Sequence, residues 1–175
     1  MTHTIILNTD RLALCDALPS DINTIIEMES APENRDYIEH GNYQQHLLEI
    51  QDPNFLVLIV VEKETENIVG YIISHIDNHS NSFELRRFVM QSKGLGYGKE
   101  AIIGLISFAF SVLDVHRLWL DVYPFNQPGI NLYESIGMHK DGILRHSYLS
   151  HKYGYQDQII YSVLANEWHH NVSNN

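Results

Sequence analysis

Basic side chains are scarce in this chain: 11 Lys and Arg stand against 22 Asp and Glu, a formal charge of −11 over 175 residues. That balance argues against a nucleic-acid or anionic-membrane binder, because both need basic patches, and it suits a cationic substrate. Cysteine is rarer still. Cys15 stands alone, so no intramolecular disulfide can form and a multi-cysteine zinc site is excluded. Long hydrophobic runs are missing as well: the longest, residues 55–61, is far too short to span a membrane. Residues 1–10 have neither a basic start nor a long apolar stretch, so no signal peptide is read there and a cytoplasmic location is expected. No internal repeat and no low-complexity tract is visible.

What is present is a globular composition. At 44% hydrophobic and 19% charged residues, the chain has the apolar content for a packed core and is not disordered. The length is that of one domain, and residues 1–175 are read as one. A first strand is expected around residues 4–15. Pro19-Ser20-Asp21 supplies an N-cap signal for a helix through Ile22, Ile25, Ile26 and Met28, and residues 43–50 suit a short second helix. Two β-rich runs, 55–61 and 68–76, flank a polar turn and read as a hairpin, followed by a strand at 83–90.

After a glycine cluster at 94–98 comes a helix from about Lys99 to Leu113. It is apolar nearly all round, so burial on more than one side is expected, with Gly104, Ser107 and Ser111 as a narrow face for close packing on a sheet. A strand at 117–123, a helix at 127–136 closed by Gly137, and strands at 139–146 and 156–164 around a Tyr/Gly/His-rich loop complete the pattern. Regular structure is expected to end after Trp168. The order implies an α/β (α+β) fold with a mixed sheet of about seven strands and helices on both faces.

Lys93-Gly94-Leu95-Gly96-Tyr97-Gly98-Lys99-Glu100 lies between a strand and a helix, where backbone N–H groups and the helix dipole can cradle a phosphate. A P-loop would need glycine at 93 and Ser or Thr at 100. A dinucleotide fingerprint starting at Gly94 would need glycine at 99. Both fail, leaving a tight turn or another phosphate loop.

The pattern Arg/Gln-x-x-Gly-x-Gly/Ala does fit, with Lys93 in its first position. A second register from Gln91 also fits and shifts the helix start by two residues. With this loop the chain resembles the GNAT acyltransferase superfamily. A second stretch carries the resemblance further: Leu118-Trp119-Leu120-Asp121-Val122-Tyr123, then Asn126, then Ile130-Asn131-Leu132-Tyr133-Glu134-Ser135-Ile136-Gly137-Met138. It is similar to the family motif V-x-x-x-N-x-x-A-I-x-L-Y-E-K-x-G-F and departs from it at Gly129 and Met138. The opening Leu7-Asn8-Thr9-Asp10-Arg11-Leu12, the segment Asp141-Gly142-Ile143-Leu144-Arg145 and the closing Glu167-Trp168 are similar to the branch of ribosomal-protein alanine and spermidine N-acetyltransferases.

The resemblance implies an acetyl-CoA-dependent N-acetyltransferase with no metal. The cosubstrate would lie between splayed strands at 83–90 and 117–123. Its pantetheine arm would take main-chain bonds from Phe88, Val89 and Met90, and its pyrophosphate would meet the N–H groups of Gly94, Leu95, Gly96, Tyr97 and Gly98. Lys93 and Lys99 are each either charges near that pyrophosphate or solvated loop lysines. Asn126 is an N-cap by its position, and the resemblance adds a contact to the CoA arm.

Tyr133 sits at the family position for the acid that protonates the departing thiolate. Spacing alone favours a core tyrosine, since Ile130 and Ile136 share its helix face, and the motif match turns the reading toward the acid. Glu84 is the candidate general base, or else an exposed strand-end carboxylate. A backbone N–H such as that of Val89 would stabilise the oxyanion.

The eleven histidines, among them the pairs His75/His79, His146/His151 and His169/His170, show no metal-ligand spacing. Tyr148, Tyr153 and Tyr155 either line an acceptor pocket or pack within a hairpin. The expected acceptor is a primary amine, either a protein N-terminus or a small polyamine-like molecule. Glu27, Glu29, Glu33, Asp36 and Glu39 are expected near it, against the alternative of a solvated acidic face. A homodimer is compatible with the sequence. The function of a different class that fits the same residues is a sensor that binds CoA or an amine without turnover.

Overall fold

The computed structural model describes residues 2–150 and 152–172, with side chains through Trp168. Five strands form an antiparallel succession: β1 (Ile5–Asn8), β2 (Leu12–Asp16), β3 (Phe55–Glu62), β4 (Ile68–Asp77) and β5 (Ser82–Met90). β6 (Arg117–Val122) joins β5 in parallel. β7 (His139–Ser150) and β8 (Gly154–Leu164) form a hairpin whose second strand pairs with β6. The order across the sheet is β1-β2-β3-β4-β5-β6-β8-β7. On one face lie α1 (Ile22–Ser30) and α2 (Tyr43–Gln51). On the other lie α3 (Tyr97–Ser111), α4 (Gln127–Ile136) and α5 (Ala165–Val172). No helix of the described residues is long and apolar enough to cross a membrane.

The mixed sheet and its two helical layers match the sequence reading, with eight strands in place of about seven. The extra strand arises because residues 4–15 are two strands. Thr9 turns the chain between them: its N–H donates to the Leu12 carbonyl at 2.9 Å and its hydroxyl to Glu100 Oε1 at 2.6 Å. Burial does not alternate along β2, because Leu12, Ala13, Leu14 and Cys15 are all buried. β2 is covered on both faces, which makes a near-continuous apolar run. Asp21 begins α1 by position, but its carboxylate turns back to accept from the Leu18 N–H at 2.7 Å. Asn42 and Gln45 cap α2 reciprocally, a capping box.

α3 starts two residues before the expected Lys99, with Gly96 as N-cap. It buries one broad face, Ala101, Ile102, Leu105, Ile106, Ala109 and Phe110, while Ile103 and Val112 are exposed. The expectation of a small-residue face against the sheet holds only at Gly104. A Cβ there would meet Thr9 Cγ2 at 2.8 Å and Leu7 Cδ1 at 3.2 Å, at the β1 edge. Ser107 instead accepts from Trp168 Nε1 at 3.2 Å, and Ser111 is exposed. The expected Tyr/Gly/His-rich loop is mostly strand, since Tyr148, Leu149 and Ser150 pair with Gln156, Tyr155 and Gly154. α5 runs past Trp168, where regular structure was expected to end.

Beneath α1 and α2 lies a buried polar network. Glu29, fully buried, accepts from the Tyr71 hydroxyl at 2.9 Å and the Gly41 N–H at 2.8 Å. The His46 imidazole, also fully buried, bridges Glu29 at 3.3 Å and Glu49 at 3.0 Å, and Glu49 accepts from Arg87 at 2.9 Å. Burial alone would lower the His46 pKa, but the hydrogen bonds to Glu29 and Glu49 raise it to about 9. The stability linked to that proton is therefore fully present below the unfolded value of about 6.5 and is lost as pH rises through about 9. Denaturant titrations should show the native protein losing about 3 kcal/mol across this interval, with a flatter profile for His46→Gln. An equal loss in the variant would place the effect elsewhere.

Candidate active site

The site follows from a parting of two strands. β5 and β6 pair only at Ser82–Arg117, Phe83–Leu118 and Glu84–Trp119. Beyond Glu84 the edge of β5 that faces β6 has no strand beside it. A bulge lies at the same place, because Ile73 of β4 opposes Arg87 while Ser74 opposes Leu85, so Arg86 is the additional residue. The bulge changes the phase of the strand. Phe83 and Leu85 before it, and Phe88 and Met90 after it, all face α3. Arg87 and Val89 face α1 and α2.

Two cavities occupy the gap. The larger, about 430 Å³, runs along β5 to the start of α3 and is lined by Phe88, Val89, Met90, Lys93, Gly94, Gly96, Tyr97, Gly98, Lys99, Asn126 and Tyr133. The smaller, about 190 Å³, holds Glu84, Asp121, Glu39, Tyr123 and Tyr148. Tyr37, Ile38, Phe88, Asn126 and Tyr133 line both, so the cavities meet at these side chains. Thus every candidate residue except Leu95 and Glu84 lines the groove, and Glu84 lies across the junction from it. The Leu95 side chain is exposed and its carbonyl accepts from Arg11 Nη1 at 2.9 Å.

The glycine loop supplies the shape of an anion site. Gly94 and Gly96 have φ of 80° and 79°, and no side chain caps α3. Its first N–H groups and its dipole therefore face the groove without a protein acceptor at the cap. The lysines are less free than the sequence suggests. Lys93 Nζ donates to Asn34 Oδ1 at 2.8 Å, and Lys99 Nζ donates to the Ser135 carbonyl at 3.2 Å. Arg11 organises the loop from outside. It pairs with Glu100 at 2.7 Å and lies 4.6 Å from the centre of the Tyr97 ring, whose hydroxyl donates to Glu62. Asn126 is an N-cap, accepting from the Gly129 N–H at 3.0 Å. The departure at Gly129 fits this cap, since a Cβ there would stand 2.9 Å from Asn126 Nδ2.

Tyr133 is buried on α4, its ring 6.1 Å from that of Tyr161. Burial, and then the charge of Asp121, push its phenol well above the usual value, so it is protonated at neutral pH. Burial raises the Glu84 carboxyl too; Asp121 adds to the rise and Arg86, 3.6 Å away, opposes it. Asp121 is likewise raised by burial, against a 2.5 Å hydrogen bond from Gln158 Nε2.

Sequence reasoning assigned no role to Asp121. The available signal was a carboxylate near the end of an interior strand that is apolar from Leu118 to Leu120. Of the five acidic residues expected near the acceptor, only Glu39 lines the inner cavity. Asp36 lines a neighbouring one, Glu29 belongs to the buried network, and Glu27 and Glu33 are exposed. Tyr148 lines the inner cavity, whereas Tyr155 stacks on His146 away from it. His75 packs on Phe55, while His151 and the side chains of His169 and His170 lie outside the described residues. Among the described residues no group of three or more His, Cys, Asp or Glu could hold a metal ion.

Residues 11–139 match the acetyltransferase (GNAT) domain family. The chain belongs to that family. It is 28% identical to an uncharacterised N-acetyltransferase of Bacillus licheniformis over 93% of this chain and 97% of that one. It is 29% identical to an N-alpha-acetyltransferase of Sulfurisphaera tokodaii, over 74% and 81%. Its fold matches that of a spermidine N-acetyltransferase from Vibrio cholerae, crystallised with CoA and spermine, with a TM-score of 0.79 and 20% identity over 90% of this chain and 98% of that one. Membership of the GNAT family places the protein among acetyl-CoA-dependent acyltransferases.

The groove makes Gly98 the sharper probe of cosubstrate binding. A valine at Gly96 would strain the backbone at φ 79° in any case. A Cβ at Gly98 would meet only Phe88 and Met90 side-chain atoms at 3.6–3.7 Å, an ordinary contact. Gly98→Val should weaken acetyl-CoA by about tenfold or more in isothermal titration while the protein stays folded. Unchanged affinity in the folded variant would remove this groove as the cosubstrate site.

Proposed function

We propose that the protein transfers an acetyl group from acetyl-CoA to a primary amine by direct attack, using one domain that spans the chain. The observation that carries this reading is the junction. Tyr133, Phe88 and Asn126 line both the long groove and the acidic cavity, so a thioester in one and an amine in the other would meet there.

The groove fits the cosubstrate. The free edge of β5 at Phe88 and Met90 offers main-chain groups to an extended chain of amides, as a peptide strand would use them, whereas those of Val89, expected to share this task, are turned to Tyr71 of β4. The loop 94–98 and the uncapped start of α3 offer N–H groups to a pyrophosphate, with the Lys93 and Lys99 ammonium groups at its sides. Asn126 spends its carbonyl oxygen on the helix cap and keeps its amide N–H₂ for the groove.

On the acceptor side, Glu39, Glu84 and Asp121 favour the cationic amine as it arrives. An alkylamine has a pKa of about 10.4 and must lose a proton before it attacks. Glu84 accepts that proton. As the new C–N bond forms and the C–S bond breaks, negative charge on the carbonyl oxygen is met by a main-chain N–H of the free β5 edge, at Phe88 or Met90. Tyr133 gives its proton to the sulfur, and the second proton of the nitrogen leaves to restore the phenol. A thiol has a pKa of about 8.5, so transfer from a phenol is needed only as the sulfur becomes anionic.

Tyr133→Phe should lower kcat by about 10²-fold or more while the acetyl-CoA Kd stays within about twofold. Full kcat would mean that the tyrosine is structural. Glu84→Gln should cost a comparable factor, read as thiol release with a fixed amine. Since Glu84 works only when ionised, activity rises as pH climbs through its raised pKa. Asp121→Asn removes one of the charges that hold it up, so the acidic limb of kcat/KM should move to lower pH. A limb that stays in place would separate Asp121 from the base.

A further inference from the structure

The acidic cavity opens outward into a second one of about 460 Å³, the two sharing Ile38, Glu39, Tyr123 and Tyr148. The outer cavity differs in charge. Its Lys152 ammonium is paired with Asp36 at 2.8 Å, and Arg35 offsets Glu39, so it has no net charge. Its walls are rings. Tyr123 stacks on Phe125 at 5.3 Å, Tyr148 lies 5.1 Å from Tyr123, and Tyr153 lies 5.5 Å from Phe125. Phe125 is 39% exposed and Tyr153 46%, apolar area that gains from being covered.

We propose that this outer cavity is the subsite for the body of the acceptor, and that the acceptor is an arylalkylamine: a small primary amine with one positive charge and an aromatic ring a few bonds from the nitrogen. The proposal rests on the transfer reading above. Glu84 and Asp121 lie in the inner cavity, where one ammonium is wanted, Glu39 stands where the two cavities meet, and the ring-lined part lies beyond the side chains they share. A polyamine would have to place a second ammonium where the carboxylates Asp36 and Glu39 are already offset by Lys152 and Arg35. Aromatic faces also attract cations, but Lys152 Nζ already stands 4.8 Å from the centre of the Tyr153 ring. A neutral aromatic group meets no such conflict, and ring-to-ring packing favours it.

The test compares 2-phenylethylamine with spermidine, by thiol release from acetyl-CoA and by calorimetric titration into the CoA-loaded protein. The expected ratio of kcat/KM for 2-phenylethylamine over spermidine is about tenfold or more, falling toward one in the double variant Phe125→Ala, Tyr153→Ala. A preference for spermidine, or a ratio the double variant leaves unmoved, would overturn the proposal. So would a double variant that turns a dimer into a monomer at unchanged ratio, because a second copy would then be what covers the rings. If neither amine is acetylated, yet 2-phenylethylamine binds and the double variant abolishes that binding, the transfer reading fails and the subsite stands. Absence of binding overturns the subsite itself.

Discussion

The arrangement depends on β5 leaving β6 after three residue pairs. A sheet that stayed paired would have no groove, and its backbone groups would be satisfied internally. Here the free edge beyond Glu84 keeps main-chain donors and acceptors that need partners. The bulge at Arg86 accompanies the parting and directs successive side chains to different tasks. Phe88 and Met90 floor the groove, while Arg87 passes to the opposite face and pairs with Glu49. The buried Glu29–His46–Glu49 network therefore sits directly behind the site, anchoring the strand that carries it.

A second layer keeps the groove open. Glycines at 94 and 96 permit the turn, but Arg11 from the start of β2 fixes it by holding the Leu95 carbonyl and the Glu100 carboxylate. Glu100 in turn accepts from Thr9, so the β1–β2 turn and the start of α3 form one unit. On the other side Lys93 reaches Asn34, whose amide bonds the Met28 carbonyl at the end of α1. Lys93, read in the family's Arg/Gln position, thus ties the loop to the segment that follows α1 and lines the cavities.

Much of this was legible in the sequence because it is local. The hairpin β3–β4, the glycine loop, the Asn126 cap and the Gly137 helix end each depend on a few consecutive residues with fixed backbone demands. Tyr133 needed the resemblance, since its spacing alone fits a core residue. What stayed hidden is what long-range packing decides. Asp121 gains its environment from Gln158 and Glu39, far away in sequence. Residues 31–42 have no periodicity to read, and only the fold brings Tyr37, Ile38 and Glu39 to the cavities while it draws Glu29 inward. The two strands of the β7–β8 hairpin were legible, but its outer end at residues 147–155 reads as a loop because the strands there are exposed and their polar residues mask the alternation.

The Lys152–Asp36 pair joins two walls of the outer cavity that are separated by more than a hundred residues of chain. It is an exposed ion pair, and such pairs contribute only about 0–1 kcal/mol. Mobile ions screen it over about 8–10 Å at ordinary ionic strength. Glu84 and Asp121 at the inner end are half-buried and feel that screening less. Added salt would thus loosen the mouth of the acceptor channel before it weakened the hold on the amine. On the proposed reading, ionic strength would then act on entry and exit, separately from the chemistry at the floor.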